Sequence, residues 1–427
     1  MLQDANANSA LEQRRQAACP RGVGVQTQAF TASARNAEIW DVNGRRLIDF
    51  GSGIAVLATG HRHPRIVAAV KQQLDSFHHT CFQVTPYESY IALCEKLNAL
   101  TPGNFPKKTA LFTTGVEAVE NAIKVAKVAT GRNAVIAFSG AFHGRTLMGM
   151  ALTGKVHPYK AGFGAMPADI WHVPFPAQAL GVTVDDSIAA LEKLFKADVD
   201  PQRVAAIILE PVQGEGGFYV APAALFRQLR AICDAHGILL VVDEVQTGFG
   251  RTGKLFALEH MGVDADLITM AKSLAGGFPL SALTGRAELM DAAPPGGLGG
   301  TYAGHPLAVA AALAVIDVMQ AEQLPARAQL LGEKLMQALR ALQARVPELA
   351  EVRGLGAMVA AEFKDPATGA PLAARVKRIQ ELALERGLLL LTCGVHANVI
   401  RFLFPLTIEE EVFEEGLAIL AEAIAPA

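Results

Sequence analysis

The feature that most constrains the fold of this 427-residue chain is a short apolar run that ends abruptly in acid. Residues 238–242 are all Ile, Leu or Val, and Asp243 follows them directly. A run of this length without a polar side chain is typical of a strand that is buried on both faces of a parallel sheet. The carboxyl end of such a strand opens into a crevice, where a carboxylate faces a ligand more often than bulk water.

A second strand candidate, residues 266–273, places Lys272 at its end, 29 positions after Asp243 (272 − 243). A buried acid and a partly desolvated amine on neighbouring strands are the pair that a pyridoxal phosphate enzyme requires. The amine attaches to the aldehyde of the cofactor, and the acid pairs with the protonated ring nitrogen. Taken singly, Lys272 is also consistent with a solvated loop lysine, and Asp243 with the cap of a following helix.

Between about residue 60 and residue 310, apolar strands alternate with amphipathic helices. Strands are predicted at residues 134–138 and 204–209, and helices at residues 116–129 and 223–236. This alternation predicts the α/β class, with a doubly wound, mostly parallel sheet. No internal repeat or low-complexity linker interrupts it.

The two ends of the chain predict a second, smaller α/β unit. Residues 38–49 alternate around Asn43 and Gly44, which is a strong hairpin signal. After a long helical stretch at residues 307–342, strands and helices resume at residues 358–363, 373–386, 387–391, 399–402 and 409–424. We expect an N-terminal segment, a large cofactor-binding domain and a small C-terminal domain at residues 1–60, 61–310 and 311–427.

Composition argues against several other classes of protein. The formal net charge of −3, without a basic stripe, disfavours a nucleic-acid-binding surface. No apolar run approaches the roughly 20 residues of a membrane helix, and the N-terminus lacks the apolar core of a secretory signal. The five cysteines are widely spaced and form no C-x-x-C pair, so we expect reduced thiols in a cytoplasmic protein, and neither disulfides nor a metal site.

Glycine-containing turns after two predicted strands are candidates for ligand binding. Thr114 and Glu117 have the spacing of a capping box at the start of a helix, so the amides there suit a phosphate, or merely begin an ordinary helix. Phe142 lies between glycines at a strand end and could stack on a flat ligand or belong to the core. Arg145, three residues later, has the forked donors that bind a carboxylate.

Three charged residues, Glu210, Glu215 and Arg401, lie shortly after or within predicted apolar strands. Residues 210–217 place two acids among glycines at a strand end, which indicates a constrained active-site loop or a surface turn. Arg401 lies within an apolar strand, so it requires an anionic partner unless it faces outward.

Jointly these motifs resemble one family closely. The chain is similar to class III (ω-amino acid) aminotransferases of fold type I, and among them to the bacterial 4-aminobutyrate aminotransferases. The resemblance extends over nearly the whole length, and its most specific segments are residues 14–24, 51–64, 152–155, 210–217, 270–277, 391–394 and 399–402. It implies pyridoxal 5'-phosphate as the cofactor, and a large domain with a mostly parallel seven-stranded sheet beside a smaller α/β domain.

The resemblance also implies roles for individual residues at the cofactor. Lys272 is expected to bind it covalently and to shuttle the proton, and Asp243 to pair with the ring nitrogen. Gly115 and Val116 are expected to donate amides to the phosphate. The family usually has a smaller residue at the position of Val116, and a backbone contact is expected to survive that change.

The remaining cofactor contacts follow from the same resemblance. Phe142 and Val245 are expected to flank the two faces of the ring, and Gln246 to reach its hydroxyl. Thr301 is expected to bind the phosphate of the cofactor in the neighbouring subunit. This implies a homodimer with shared active sites, either alone or paired into a tetramer.

For substrates, the resemblance implies an ω-amino acid and 2-oxoglutarate. Arg145 would bind the carboxylate of the ω-amino acid, in a pocket lined by Ile54 and Gln83. Glu215 would neutralise Arg401 during this half-reaction and would move aside when 2-oxoglutarate brings a second carboxylate. The implied reaction is a ping-pong transfer from 4-aminobutyrate to 2-oxoglutarate, giving succinate semialdehyde and glutamate.

Alternatives remain open at this stage. One methylene is worth only roughly 1–3 kcal/mol of discrimination, so 5-aminovalerate is an alternative donor, and ornithine or acetylornithine are more distant ones. A non-catalytic protein of the same fold would be favoured by loss of the lysine, the acid or the phosphate turn, and all are present. A nucleotide-dependent dehydrogenase would need a G-x-G-x-x-G turn after its first strand, which the sequence lacks.

Overall fold

The computed structural model describes residues 7–425, and its strands form one seven-stranded sheet and three smaller ones. The strands are β1 (Thr31–Arg35), β2 (Glu38–Asp41), β3 (Arg46–Asp49), β4 (Lys107–Phe112), β5 (Ala134–Phe138), β6 (Ile170–Val173), β7 (Val204–Leu209), β8 (Val212–Gln213), β9 (Tyr219–Val220), β10 (Leu239–Asp243), β11 (Leu267–Met270), β12 (Ser281–Arg286), β13 (Leu349–Leu355), β14 (Met358–Phe363), β15 (Leu388–Leu389), β16 (Leu391–Cys393) and β17 (Val399–Phe402).

The α-helices of the described residues surround these sheets. They are α1 (Ala7–Ala18), α2 (Ser52–Ala55), α3 (Pro64–Ser76), α4 (Glu88–Leu100), α5 (Gly115–Thr130), α6 (Leu147–Leu152), α7 (Val184–Ala197), α8 (Ala223–His236), α9 (Ala287–Met290), α10 (Pro306–Ala321), α11 (Leu324–Gln343), α12 (Ala373–Glu385) and α13 (Glu410–Ile424).

The large sheet has the order β4-β12-β11-β10-β7-β5-β6. Strand β12 runs antiparallel to both of its neighbours, whereas the pairs from β11 to β6 are parallel. All residues of β5 and β7 are buried, which explains why their sequences carry no polar alternation. The predicted α/β fold with a mostly parallel seven-stranded sheet is therefore confirmed.

The predicted long helical stretch is divided into two helices, α10 and α11, which meet at an angle of 66°. Gln323, between them, adopts a left-handed φ of +50°, and Pro325 in the first turn of α11 has no amide hydrogen to continue a helix. Among the described residues, no single helix is long and apolar enough to cross a membrane, and only this bent pair meets that length and composition when taken together.

One of the smaller sheets joins distant parts of the chain. Strand β15 pairs in parallel with β3, with Leu388 opposite Ile48, so the N-terminal hairpin and the C-terminal part share one sheet. The predicted single strand at residues 387–391 is wrong, because β15 covers only Leu388–Leu389 and Leu391 already belongs to β16, which pairs with β17. The domain boundaries at residues 60 and 310 stay a prediction.

Candidate active site

A cavity of about 490 Å³ opens where the carboxyl ends of β4, β10 and β11 meet. Because parallel strands end at the same edge of a sheet, the turns that follow them converge there. The residues predicted from sequence that line this cavity are Gly115, Val116, Phe142, Arg145, Glu215, Asp243, Val245, Gln246 and Lys272.

Lys272 is held at the start of a short 3-10 turn, Lys272–Ala275, with a left-handed φ of +44°. The turn is fixed because the hydroxyl of Ser273 donates to the carbonyl of Ala55 at 2.7 Å. Desolvation lowers the pKa of Lys272 to about 8, although the charge of Glu215 opposes the shift. A much larger fraction of this amine is therefore neutral, and thus nucleophilic, near neutral pH than for a solvated lysine.

Asp243 is fixed by hydrogen bonds to both of its carboxylate oxygens. Its Oδ2 lies 2.7 Å from Nδ1 of His143, and its Oδ1 accepts from the hydroxyl of Thr269 at 3.1 Å and the amide of Val245 at 3.0 Å. Burial opposes the charged form of His143, but the hydrogen bond to Asp243 outweighs it and raises the pKa of His143. A carboxyl group held in a fixed orientation is suited to a cationic ring nitrogen.

The start of α5 forms a cradle for an anion. Glu117 accepts from the amides of Thr113 at 3.0 Å and Thr114 at 2.6 Å, which completes the predicted capping box. The next amides, of Gly115 and Val116, lie in the first helical turn, where no helix carbonyl reaches them. A Cβ on Gly115 would lie 2.9 Å from Cγ1 of Val245, so glycine keeps this space open.

The larger residue at position 116 is accommodated by two glycines. A Cβ on Gly144 would lie 2.1 Å from Cγ2 of Val116, and one on Gly149 would lie 2.6 Å from the same atom. The valine side chain thus fills space that side chains at 144 and 149 would otherwise occupy, and the helix start is left in place.

Arg401 pairs with Glu215, with 2.5 Å between Nη1 and Oε1. The same nitrogen donates to the carbonyl of Gly214 at 3.0 Å. Burial alone lowers the pKa of Arg401, but the charge of Glu215 reverses the shift and raises it. Burial likewise favours neutral Glu215, and Arg401 outweighs it, so the pKa of Glu215 falls. Both groups are therefore charged, and of the two only Glu215 lines the cavity.

Arg145 is an exposed cation at the edge of the cavity. Its guanidinium carbon lies 4.8 Å from the ring centre of Tyr159 and 6.0 Å from that of Phe142. No ion pair involves Arg145 within residues 7–425. Its donors are thus available to an external anion.

Glu210 connects two of the converging turns. Its oxygens accept from the amides of Phe142 and Gly214, each at 2.9 Å. Desolvation raises the pKa of Glu210 to about 7. The carboxyl group thereby ties the turn that carries Phe142 to the loop that carries Glu215.

Four residues predicted for the site do not line this cavity, and Arg401, described above, is one of them. Ile54 is exposed, with a φ of +65°. Gln83 donates to the carbonyl of Leu298 at 3.0 Å and lines a separate cavity of about 210 Å³ beside Gly299 and Gly300. Thr301, the next residue, is exposed. Their predicted roles stay predictions.

The sequence interpretation missed several residues that support the site. Thr269 and Tyr159 received no role, although Thr269 binds Asp243 and Tyr159 contacts Arg145 and Glu215. The threonine could have been found, because it lies on the strand that carries Lys272. Nothing near Tyr159 in the sequence indicates what it touches.

Comparison with known proteins decides the family. Residues 20–424 match the family described as Aminotransferase class-III. The chain is a class III aminotransferase. This aminotransferase is 57% identical to 5-aminovalerate aminotransferase DavT of Pseudomonas putida and 54% identical to 4-aminobutyrate aminotransferase GabT of Escherichia coli. Each alignment covers 418 residues and 98% of both chains.

Solved structures agree with this assignment. An ornithine aminotransferase of Toxoplasma gondii, described with partial occupancy of pyridoxal phosphate, matches with a TM-score of 0.87 and 28% identity over 99% of this chain and 95% of that one. The family resemblance, the enzyme class and the pyridoxal phosphate cofactor predicted from sequence are confirmed. The two relatives at 57% and 54% identity are named for two ω-amino acids, 5-aminovalerate and 4-aminobutyrate.

The cavity of this aminotransferase fits the cofactor. The glycine at position 115 leaves room beside two amides that suit a phosphate, and Asp243 suits a ring nitrogen. Gln246 is buried, and its Oε1 has no hydrogen-bond partner within residues 7–425. A buried amide oxygen without a partner is costly, so a polar group of a ligand is expected beside it.

Proposed function

We propose that this aminotransferase transfers the terminal amino group of 5-aminovalerate to 2-oxoglutarate, with 4-aminobutyrate as a second donor. Sequence reasoning alone favoured 4-aminobutyrate. The relative named for 5-aminovalerate is the more similar of the two, at 57% against 54% identity. The observation that carries the proposal is the pair of arginines: Arg145 has no ion-pair partner among residues 7–425, and Arg401 is neutralised by Glu215.

An ω-amino acid presents one carboxylate far from its amine, and this matches a site with one available arginine. Arg145 binds that carboxylate through its forked donors. Glu215 keeps Arg401 neutralised meanwhile, because a buried guanidinium without a partner would be costly. Phe142 and Val245 contribute apolar surface beside the methylene chain and cofactor ring.

2-Oxoglutarate brings two carboxylates, so the second half-reaction uses both arginines. Glu215 turns away from Arg401, which then binds the carboxylate next to the keto group, while Arg145 binds the distal one. The products are glutamate together with the five-carbon aldehyde acid from 5-aminovalerate, or succinate semialdehyde from 4-aminobutyrate.

When bound, pyridoxal phosphate supplies an aldehyde that accepts the amino group and a cationic ring that takes up electron density from the reacting carbon. Lys272 would hold the cofactor through Nζ, and the same nitrogen would take the proton from the substrate carbon that bears nitrogen. Asp243, held by His143 and Thr269, keeps the ring nitrogen protonated. The amides of Gly115 and Val116 hold the phosphate.

Three further residues of the same chain contribute to the proposed cofactor contacts. Gln246 contacts the ring hydroxyl, and Phe142 and Val245 exclude water from the two ring faces. Every one of these groups except Phe142 ends or follows β4, β10 or β11, so the sheet itself sets their spacing.

A donor series tests the proposal. Steady-state kcat/KM is measured for ω-amino acids of three to six carbons, and for ornithine and N-acetylornithine, with 2-oxoglutarate or pyruvate as acceptor. We expect a maximum at five carbons, with kcat/KM for 4-aminobutyrate roughly 10- to 200-fold lower, because one methylene is worth roughly 1–3 kcal/mol. 2-Oxoglutarate should exceed pyruvate, which lacks the second carboxylate.

Other outcomes of this series have distinct meanings. A maximum at four carbons would make 4-aminobutyrate the principal donor. Preference for ornithine or N-acetylornithine, or equal use of pyruvate, would contradict the proposed roles of Arg145 and Arg401.

A further inference from the structure

Tyr159 lies between the two groups that recognise carboxylates, although it follows no strand of the large sheet. Its side chain is buried, and its hydroxyl lies 3.4 Å from Oε2 of Glu215. Its ring centre lies 4.8 Å from the guanidinium carbon of Arg145 and 4.8 Å from the ring of Phe142. One side chain therefore contacts Arg145 through its face and Glu215 through its hydroxyl.

We propose that Tyr159 is a positioning residue that couples the two carboxylate sites: its ring orients Arg145, and its hydroxyl holds Glu215 on Arg401. This inference rests on the proposed function, and it assigns to one tyrosine the choice between substrates with one carboxylate and substrates with two. Tyr159 acts through Arg145 and Glu215 and contacts no reacting atom.

The direction of the contact with Glu215 is fixed by chemistry. Burial raises the pKa of Tyr159 to about 12, so the phenol keeps its proton. An ionised carboxylate only accepts hydrogen bonds, hence Tyr159 donates and Glu215 accepts. A separation of 3.4 Å is long for an O–H···O hydrogen bond, so the contact holds Glu215 weakly. A weak contact is suitable for a group that must leave Arg401 in each catalytic cycle.

The contact with Arg145 has a different consequence. A guanidinium above an aromatic face is oriented by the ring without using its N–H donors. Arg145 thus keeps its forked donors for a carboxylate and loses less conformational freedom when one binds. Phe142 packs against the same tyrosine and supports this arrangement from the cavity side.

The contacts of Tyr159 with Glu215 and Arg145 predict different effects on ligand affinity for two substitutions of this tyrosine. Tyr159→Phe removes only the hydroxyl, so Glu215 is released from Arg401 more easily and a dicarboxylate binds more tightly. Tyr159→Leu also removes the ring beneath Arg145, so a monocarboxylate binds more weakly.

The experiment measures dissociation constants of two unreactive analogues, glutarate and pentanoate, for the pyridoxal-phosphate-loaded protein by titration calorimetry. For Tyr159→Phe we expect a two- to fivefold lower Kd for glutarate, the size of one weak hydrogen bond, and an unchanged Kd for pentanoate. For Tyr159→Leu we expect the Kd of pentanoate to rise two- to fivefold.

Tyr219→Phe is a matched control. The hydroxyl of Tyr219 donates to Glu362 at 3.1 Å, and its ring lies 4.0 Å from the guanidinium carbon of Arg353, so the same three residue types meet away from the Lys272 cavity. This variant should leave both constants unchanged.

Three results would overturn the proposal: unchanged glutarate binding in Tyr159→Phe, equal shifts for both analogues, or an equal shift in Tyr219→Phe. The conservative Phe variant keeps the buried ring, so the test does not depend on the Leu variant being folded. Binding of the two analogues requires no turnover and tests the role of Tyr159, whereas the donor series with the wild-type protein tests the proposed function. Either proposal can therefore fail while the other holds.

Discussion

At the scale of single residues, the protonation of Lys272 is the property most open to measurement. Desolvation lowers its pKa to about 8, well below the ordinary value for lysine. Only the neutral amine attacks an aldehyde, so the rate at which the cofactor-free protein binds pyridoxal phosphate covalently should rise with pH and level off above about 8. Stopped-flow absorbance of the protein-bound cofactor measures this rate.

A variant predicts the direction of a further shift. Glu215 raises the pKa of Lys272 and also neutralises Arg401, which lowers it. Glu215→Gln removes the negative charge that raises the pKa of Lys272 and leaves the charge of Arg401 without a partner. The pH at which the rate is half-maximal should therefore be lower in this variant. A half-maximal rate near the ordinary lysine value in the wild-type protein would contradict the desolvation of Lys272.

Residues that follow strands were accessible from the sequence, and those that depend on tertiary contacts were not. Asp243 and Lys272 end apolar runs, so their convergence follows from the direction of the strands. Arg401 in an apolar strand required an anion, and Glu215 is the partner in the structure. Tyr159 lies in a segment without periodic pattern, and its contacts with Arg145 and Glu215 arise only from folding.

At the scale of elements, the start of α5 depends on the absence of one side chain. Gly115→Ala would place a Cβ 2.9 Å from Cγ1 of Val245 and 3.4 Å from Cβ of Ala271. Crowding of this size costs about 1–3 kcal/mol, so the Kd for pyridoxal phosphate should rise about tenfold or more. Fluorescence titration of the cofactor-free protein measures the change.

Gly22→Ala is the control for this prediction, because a Cβ at position 22 would meet no atom within 4 Å. Cofactor affinity should remain at the wild-type level in that variant. Unchanged affinity in Gly115→Ala would show that the helix start is not where the phosphate binds.

Elements with strong periodicity were predicted well, and irregular joints were not. The predicted bounds of β5, β7, β14, β17 and α8 agree with the structure, because buried strands and amphipathic helices carry their own pattern. The break before α11 depends on the left-handed backbone of Gln323. Glutamine rarely adopts this conformation, so the sequence does not indicate the break. The division of residues 387–391 depends on which sheet offers a free edge.

At the scale of the whole molecule, the positions of Gln83 and Thr301 bear on the proposed homodimer. Both lie beside the loop that begins at Gly299, outside the cavity of their own chain. We propose that Thr301 binds the cofactor phosphate in the partner subunit, so that each site requires two chains.

Heterodimers test this shared site. In a heterodimer of Lys272→Ala and Thr301→Ala chains, one site would combine intact Lys272 with intact Thr301 from the other chain. At limiting cofactor we expect this heterodimer, purified through two tags, to show about half of the wild-type activity and more than either parent. A heterodimer of Lys272→Ala and Asp243→Asn chains should stay inactive. Each change disables the cavity of its own chain, so neither site is intact. Equal background activity in the two heterodimers would contradict the shared site.

The position of β12 has a consequence for how the protein is made. This strand is inserted between β4 and β11, and β4 has no other neighbour in the sheet. The hydroxyl of Ser281 in β12 donates to the carbonyl of Thr114 at 2.6 Å. The turn before α5 is therefore secured by a residue 167 positions later in the chain (281 − 114). During translation, β4 therefore has no strand to pair with until β12 has left the ribosome. We therefore expect the cofactor to bind only after residue 281 of 427, and thus about two thirds of the chain, has been synthesised.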